Sequence, residues 1–251
     1  MRRFKIRYFL IFLLFIFLIS LFIHNIQSYD LWWHLETGEY ILRNLSIPGT
    51  DPYSYTASRD WIDLQWIFQI VIFLIEDNLG LNALIIFKSL VLLTTFWILF
   101  KTIYTPKHCL TAIILTFLTA LCCRQRAVLR PEIFTFLYIT IFLYILHRYK
   151  YGGPAGKIRF RPNYIFILPA VQLLWVNSHG LFILGIMLVW AFIAGELISR
   201  RLNLPIFQDE HVIKGLPYRR LLLAGILVIL CSFINPYTYE GAIFPFTLFT
   251  R

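Results

Sequence analysis

The sequence predicts an all-α protein, namely a polytopic bundle of transmembrane helices with a large outer loop that contains interfacial helices. Of its 251 residues, 59% are hydrophobic and only 14% are charged, whereas an average soluble domain has about 45–50% apolar and about 25% charged residues. The uncharged runs are also close to or above the length that a membrane-spanning helix needs. These runs are Tyr8–Tyr29, His108–Cys123, Pro162–Gly195 and Leu221–Tyr239.

We expect a single membrane domain over residues 1–251. It comprises a first span at 1–23, an outer loop with interfacial or re-entrant helices at 24–80, and a helix bundle at 81–251 that is incomplete at its C-terminus. Basic residues precede the first apolar run, as in a signal peptide, but its core is long and bulky and no small-residue cleavage pattern follows. We therefore interpret it as an uncleaved span with a cytoplasmic N-terminus.

The outer loop is the most polar part of the chain. Residues 24–63 are rich in acids and also carry Trp and Tyr, which concentrate at membrane interfaces. Within it, Asp30–Asn44 places apolar residues near one helical face, which indicates a helix along the membrane surface. The next element, Trp61–Ile75, is ambiguous because it is long enough for a thin span but equally able to stay in the interface.

Charge distribution favours the second alternative for Trp61–Ile75. Apolar elements follow at Leu81–Phe100, Cys109–Leu121, Ile133–Leu146, Tyr164–Val176, Leu181–Ile198 and Leu221–Ile234. If Trp61–Ile75 does not cross, the basic loops after Phe100, Leu146 and Ile198 all lie in the cytoplasm, as the positive-inside rule requires. The sequence thus predicts a multi-pass plasma (inner) membrane protein with an extracytoplasmic loop 24–80. The net charge of +10 is then a topology signal, and we expect no nucleic acid partner.

The run Pro162–Gly195 must contain a break. As one helix it would be about 51 Å long at about 1.5 Å per residue, whereas the hydrocarbon core is about 30 Å thick. The polar residues and glycine of Asn177-Ser178-His179-Gly180 predict a tight turn between two helices.

The outer loop brings a carboxylate and an imidazole together. Asp30 and His34 are four residues apart, so on a helix both reach the same side. Such a pair can serve as a general base towards an acceptor hydroxyl, or Asp30 can ligate a divalent cation. The alternative is structural, with Asp30 capping the helix and His34 lying at the interface.

Basic residues near the outer face form a second candidate group. Arg124, Arg126 and Arg130 lie on the side that the positive-inside rule depletes, and guanidinium groups suit the phosphate of a lipid-linked substrate. Alternatively they pair with Glu132 and the loop acids or contact lipid headgroups. Lys88 lies inside the Leu81–Phe100 element, where a lysine either faces a cavity or extends to the interface.

The remaining outer-face candidates are polar residues at turns, namely Asp51, Gln65, Asn177 and His179. His179 is either a ligand or proton carrier, or merely hydrogen-bonded at its turn. No P-loop, G-x-G-x-x-G, H-E-x-x-H, G-x-S-x-G or C-x-x-C pattern is present, so soluble-enzyme chemistry of those kinds is not indicated.

Taken in order, several short strings resemble the polytopic membrane glycosyltransferases of the GT-C superfamily, in particular a group of bacterial members. The strings are Asp30-Leu31-Trp32-Trp33-His34, Ile47-Pro48, Asp51-Pro52-Tyr53-Ser54-Tyr55-Thr56, Trp61, Gln65-Trp66, Arg130-Pro131 and Asn177-Ser178-His179-Gly180. The resemblance covers about residues 1–200. Gln65 stands where an acid is expected, and this class usually has a longer chain.

The resemblance implies a sugar transferase whose donor is a polyprenyl-phosphate-linked sugar. Asp30 occupies the position of the catalytic or metal-linked acid of the first outer loop, with His34 assisting. Arg130-Pro131 matches the outer element near the donor phosphate, to which Arg124, Arg126 and Lys88 add further cations. Two other hypotheses are a transporter or flippase of an anionic lipid or glycan, and a non-catalytic truncated membrane fragment.

Overall fold

The computed structural model describes residues 2–55, 61–152, 162–202 and 218–249. Within these ranges the chain is all-helical, without a β-strand, so the predicted fold class is confirmed. The helices are α1 Arg2–Phe22, α2 Leu31–Asn44, α3 Trp66–Leu79, α4 Leu81–Ile103, α5 Cys109–Cys123, α6 Glu132–Tyr151, α7 Ile167–Val176, α8 Ile183–Leu202, α9 Tyr218–Cys231 and α10 Thr238–Phe249. Short 3-10 turns lie at Arg124–Arg126, Pro162–Phe166 and Gly180–Phe182.

Among the described residues, four helical segments are long and apolar enough to cross a membrane. They are Lys5–Phe22, Leu81–Ile103, Cys109–Arg126 and Gly180–Ser199. Helix α1 exposes a row of large apolar side chains, including Ile6, Phe9, Phe12 and Ile16, as a helix in contact with lipid does. The direction in which each segment crosses stays a prediction.

The helices pack into one bundle around a shared apolar core. Helix α4 lies against α1 and α6, α6 also contacts α8, and α9 packs between α7 and α8. The largest fully buried side chains include Trp175, Tyr149, Phe142 and Phe68. The bundle thus supports α2 and α3, since α3 packs on both α2 and α4.

The two helices within the segment 24–80, which is predicted to be the outer loop, form a hairpin-like pair beside this bundle. Helix α2 begins one residue after Asp30, close to the predicted Asp30–Asn44, and packs closely on α3. Helix α3 has 14 residues, which corresponds to about 21 Å and is too short for a hydrocarbon core of about 30 Å. This length agrees with the interpretation in which Trp61–Ile75 does not cross.

The break predicted within Pro162–Gly195 is confirmed. Helix α7 ends at Val176, Asn177 to His179 form a turn, and a 3-10 turn at Gly180–Phe182 leads into α8. His179 has extended backbone angles (φ −166°, ψ 140°), so the helical path is interrupted at this residue. The turn thereby places three polar side chains at the same end of the bundle as α2 and α3.

Candidate functional site

Asp30 and Arg130, which are distant in the sequence, form an ion pair. The Arg130 Nη2 atom lies 2.9 Å from Asp30 Oδ2, and Arg130 Nε donates a hydrogen bond of 3.3 Å to Ser28 Oγ. The two side chains are 35% and 42% exposed, so both remain accessible from outside. A predicted carboxylate and a predicted arginine therefore belong to one site.

The capping alternative for the Asp30 side chain is wrong. Asp30 stands at the N-cap position of α2, but its side chain makes no capping hydrogen bond. Only its backbone carbonyl joins the helix, accepting a 3.2 Å bond from the His34 amide. The carboxylate is directed to Arg130 instead.

His34 is buried inside the protein, and its interpretation as a residue of the membrane interface stays a prediction. Its side chain is only 2% exposed, its ring centroid lies 3.7 Å from that of Trp33, and its Nδ1 is 3.5 Å from Gln69 Nε2. Burial, with smaller contributions from Arg130 and His179, lowers the pKa of His34 to about 3. His34 is therefore neutral at physiological pH, and within the described residues no side-chain hydrogen bond joins it to Asp30.

Gly38 allows this arrangement of α2 and α3. A Cβ atom at Gly38 would lie 2.4 Å from the backbone oxygen of Gln69 and 2.8 Å from Phe73 Cβ. The two helices consequently approach more closely than any side chain at this position permits. This close approach holds His34 against Gln69.

The other two arginines lie at the 3-10 turn before α6. Arg126 Nη1 is 3.4 Å from Glu132 Oε1, and the Arg126 side chain is 66% exposed. Arg124 is also exposed. Pairing is thus observed for Arg126 with Glu132 and for Arg130 with the loop acid Asp30, while phosphate binding by any of the three arginines stays a prediction.

Lys88 is fully buried and bonded to the end of α1. Its Nζ donates a 3.0 Å hydrogen bond to the His24 carbonyl oxygen and lies 3.3 Å from His24 Nδ1. Ser89 Oγ donates to Phe22 O at 3.1 Å. A cation at the C-terminal end of a helix is favourable, so the observed contacts tie α4 to α1. A role of Lys88 in phosphate binding stays a prediction.

Asp51 and Asn177 have structural contacts. Asp51 Oδ1 accepts a 2.9 Å bond from the Tyr53 amide and so stabilises a turn. Asn177 Oδ1 accepts from Trp66 Nε1 at 2.9 Å, while its Nδ2 donates to Leu173 O at 2.8 Å and to Ile234 O at 2.9 Å. Asn177 therefore joins α3, α7 and the residues after α9.

Gln65 and His179 line a cavity of about 570 Å³ at this end of the bundle, which is within the usual range for a small-molecule site. Asp30, His34 and the three arginines do not line it. The cavity wall nevertheless includes Trp33 of α2 and Glu132 at the start of α6, and Asp30 and Arg130 lie in the segments just before these two helices. The lining residues are Trp33, Trp61, Ile62, Asp63, Leu64, Gln65, Glu132, His179, Gly180, Leu181, Glu240, Ile243, Phe244 and Thr247.

His179 is held by a two-step hydrogen-bond chain. Trp175 Nε1 donates to Thr135 Oγ1 at 2.9 Å, and Thr135 Oγ1 lies 2.8 Å from His179 Nδ1. Burial lowers the pKa of His179 to about 4, so the ring is neutral at physiological pH. A proton carrier would need a pKa nearer neutrality.

Asp63 is a buried acid of the cavity wall that was not among the predicted site residues. It is 2% exposed, its Oδ1 accepts from the Gln65 amide at 2.9 Å, and its Oδ2 has no hydrogen-bond partner of standard geometry among the described residues. Burial raises the pKa of Asp63, and hydrogen bonding from Gln65 and Gln69 partly opposes this rise. In the sequence, Asp63 is one of several acids in the segment 24–63, and nothing in the local pattern distinguishes it from the others.

The described residues contain no group of three or more His, Cys, Asp or Glu side chains arranged to hold a metal ion. A divalent cation on Asp30 therefore stays a prediction. Comparison with known proteins adds no relative, since no family model, curated protein or solved structure matches this chain. The likeness to the GT-C superfamily rests on the residues quoted above.

Proposed function

We propose that the chain is a membrane glycosyltransferase that moves a sugar from a polyprenyl-phosphate-linked donor to an acceptor hydroxyl at the outer face of the membrane. One observation carries this proposal, the contact between Asp30 and Arg130. It puts a group that can accept a proton beside a group that can bind a phosphate, and both are accessible.

The reaction assigns one task to each group. Asp30 takes the proton of the acceptor hydroxyl, whose oxygen attacks C1 of the donor sugar. The bond between C1 and the phosphate oxygen breaks, and its electron pair stays on the polyprenyl phosphate. Arg130 stabilises the charge that develops on this leaving group.

Arg130 can bind a phosphate without releasing Asp30. A guanidinium carries five N–H donors, and the contacts to Asp30 and Ser28 occupy Nη2 and Nε. Hydrogens on Nη1 and the second hydrogen on Nη2 remain for a phosphate oxygen. Arg124 and Arg126, exposed nearby in the sequence, add positive charge on the approach to it.

The test uses the full chain, purified and reconstituted in liposomes with undecaprenyl phosphate carrying radiolabelled glucose, mannose or arabinose. A membrane glycan extract serves as acceptor. We expect label to move to the acceptor fraction and undecaprenyl phosphate to accumulate, and we expect Asp30→Asn to abolish both. Asp77→Asn, an exposed change on α3, is the matched control and should behave like the wild type.

Three results would count against the proposal. Full activity of Asp30→Asn removes the role assigned to this carboxylate. Movement of the lipid-linked sugar across the bilayer without transfer of label selects the transporter or flippase. Neither transfer nor movement with any of the three donors favours the non-catalytic fragment.

A further inference from the structure

The cavity of about 570 Å³ differs in charge from the ion pair beside it. Its described lining carries three carboxylates, Asp63, Glu132 and Glu240, and no Lys or Arg. Arg124, Arg126 and Arg130 lie outside this lining. A phosphate in the cavity would meet three acids, of which Glu132 is paired with Arg126 outside the lining, and no Lys or Arg of the described lining would contact it, which disfavours an anionic ligand.

Two carboxylate oxygens in the cavity wall need a donor from a ligand. Asp63 Oδ2 and Glu132 Oε2 are buried and have no hydrogen-bond partner of standard geometry among the described residues, and the side chain of Gln69 gives Asp63 only a weaker polar contact. A buried acceptor without a partner is unfavourable by about 1–3 kcal/mol. Asp63 is only 2% exposed, so the hydroxyl group of a bound ligand would donate to an acceptor that the fold keeps from bulk water.

The wall also provides a donor of defined orientation. Trp175 Nε1 can only donate, so Thr135 Oγ1 accepts this bond. In the described contacts the Thr135 hydroxyl hydrogen then has His179 Nδ1 as its acceptor at 2.8 Å. With the hydroxyl hydrogen assigned to this bond, His179 carries its own hydrogen on Nε2 and can act as a neutral donor.

Apolar surface completes the cavity. The rings of Trp33 and Trp61 both line it, with their centroids 5.8 Å apart, and Phe244 lines it as well. Aromatic faces beside a few convergent polar groups are typical of small-molecule sites. The combination suits a ring with apolar C–H faces and hydroxyl edges.

We infer that this cavity binds a non-anionic sugar, whose hydroxyl groups donate to Asp63 Oδ2 and accept from His179 Nε2. The inference deepens the proposed function and rests on it in taking this sugar to be a substrate. The phosphate of the donor lies outside the cavity, towards Arg130. Thr135 is a positioning residue, because it acts through His179.

Binding can be measured without any transfer. The purified full chain in detergent is titrated with the methyl glycosides of glucose, galactose, mannose and arabinose and, in parallel, with glucose 1-phosphate and inorganic phosphate. Tryptophan fluorescence reports occupancy, since Trp33 and Trp61 line the cavity. We expect saturable binding of at least one methyl glycoside and at least tenfold weaker binding of both phosphates.

Variants locate the site. Asp63→Ala should weaken binding about tenfold or more, because it removes a buried acceptor. Thr135→Val should weaken it severalfold and Thr135→Ser should restore it, which a purely steric effect would not produce. Glu240→Gln, at an exposed position, keeps the test valid if the buried variants do not fold, and it should weaken binding measurably.

Asp30→Asn separates the two proposals, because Asp30 does not line the cavity. This variant should bind the glycoside like the wild type while it fails to transfer. A glycoside to which a sugar is added in the transfer assay is the acceptor. A glycoside that only competes with the lipid-linked donor shows that the cavity binds the sugar of the donor. Two results would overturn the inference. One is that the phosphates bind as tightly as the glycosides. The other is that glycoside binding is unaffected by Asp63→Ala, Glu240→Gln and Thr135→Val.

Discussion

Asp30 Oδ2 and Arg130 Nη2 lie 2.9 Å apart and join the segment before α2 to the segment before α6. The two side chains are 42% and 35% exposed, and pairs of this kind contribute only about 0–1 kcal/mol to folding. The bundle does not need this contact for stability. Its effect on function can consequently be measured without loss of the fold.

We expect Arg130→Gln to impair transfer far more than it impairs folding. It removes the positive charge proposed to hold the donor phosphate, so the KM for the lipid-linked donor should rise and kcat should fall by about 100-fold or more. The free energy of unfolding should change by about 1 kcal/mol or less. The measurements are donor kinetics in liposomes and thermal unfolding in detergent.

Arg43→Gln is the control for this change. Arg43 forms an ion pair with Glu39 on α2 and is 76% exposed, so its loss removes one surface cation without touching the site. Equal losses of activity in the two variants would contradict the role given to Arg130 and would indicate a general effect of surface charge.

Asn177→Ala should destabilise the protein. The Asn177 side chain satisfies Trp66 Nε1 and the Ile234 carbonyl, and its removal leaves both of these part-buried groups without this partner. We expect a loss of about 2–4 kcal/mol, measured as a lower unfolding temperature. Asn78→Ala is the control, because Asn78 is exposed and its side chain donates to Leu74 O in the preceding turn of its own helix. An equal fall in unfolding temperature in both variants would contradict the structural role given to Asn177.

Several features of the fold follow from the sequence by arithmetic. The run Pro162–Gly195 is too long for one span, and the polar residues from Asn177 to His179 are where a break is compatible with the membrane. The apolar spacing after Asp30 similarly identified α2. These predictions succeed because they depend on local residue patterns and on the thickness of the bilayer.

The partners of the site residues could not be predicted in the same way. Gln69 lies in an apolar stretch, and only the rotation of α3 about its axis directs it to His34. Lys88 showed the need for a partner, but the pattern did not identify His24. Asp63 and Glu240 meet in one cavity because α10 folds back beside the loop, and such long-range packing leaves no periodic signal in the sequence.

We expect the stability of the protein to fall as the pH is lowered from about 7 to about 4. The pKa of His34 is about 3 and that of His179 about 4 in the folded protein, against 6.5 in an unfolded chain. Below pH 6.5 the unfolded chain therefore binds protons that the folded chain does not. For buried His34 this lowers the free energy of unfolding by about 1.4 kcal/mol per pH unit.

Asp63 acts in the opposite direction. Its raised pKa means that the folded chain binds this proton at a higher pH than the unfolded chain does. The contribution of Asp63 to the free energy of unfolding is therefore present at low pH and is lost as the pH rises through that pKa.

The histidine substitutions test the pH dependence. His34→Gln and His179→Gln should each reduce the fall in unfolding temperature between pH 7 and pH 5. His108→Gln, at an exposed position, is the control, and an unchanged pH slope in the two buried variants would contradict this account.

Gly38→Ala should separate α2 from α3 and so damage the site from outside it. The new Cβ would lie 2.4 Å from Gln69 O, which belongs to the α3 backbone and cannot rotate away. Overpacking of this kind is unfavourable by about 1–3 kcal/mol, and the displaced Gln69 would leave His34. We expect a lower unfolding temperature and transfer reduced by at least tenfold. Gly195→Ala on α8 is the control, because a Cβ there would have open space around it, and it should be neutral or stabilising by up to about 1 kcal/mol. If the Gly38→Ala protein had the same unfolding temperature and transfer activity as this control, the close approach of α2 and α3 would not position the site.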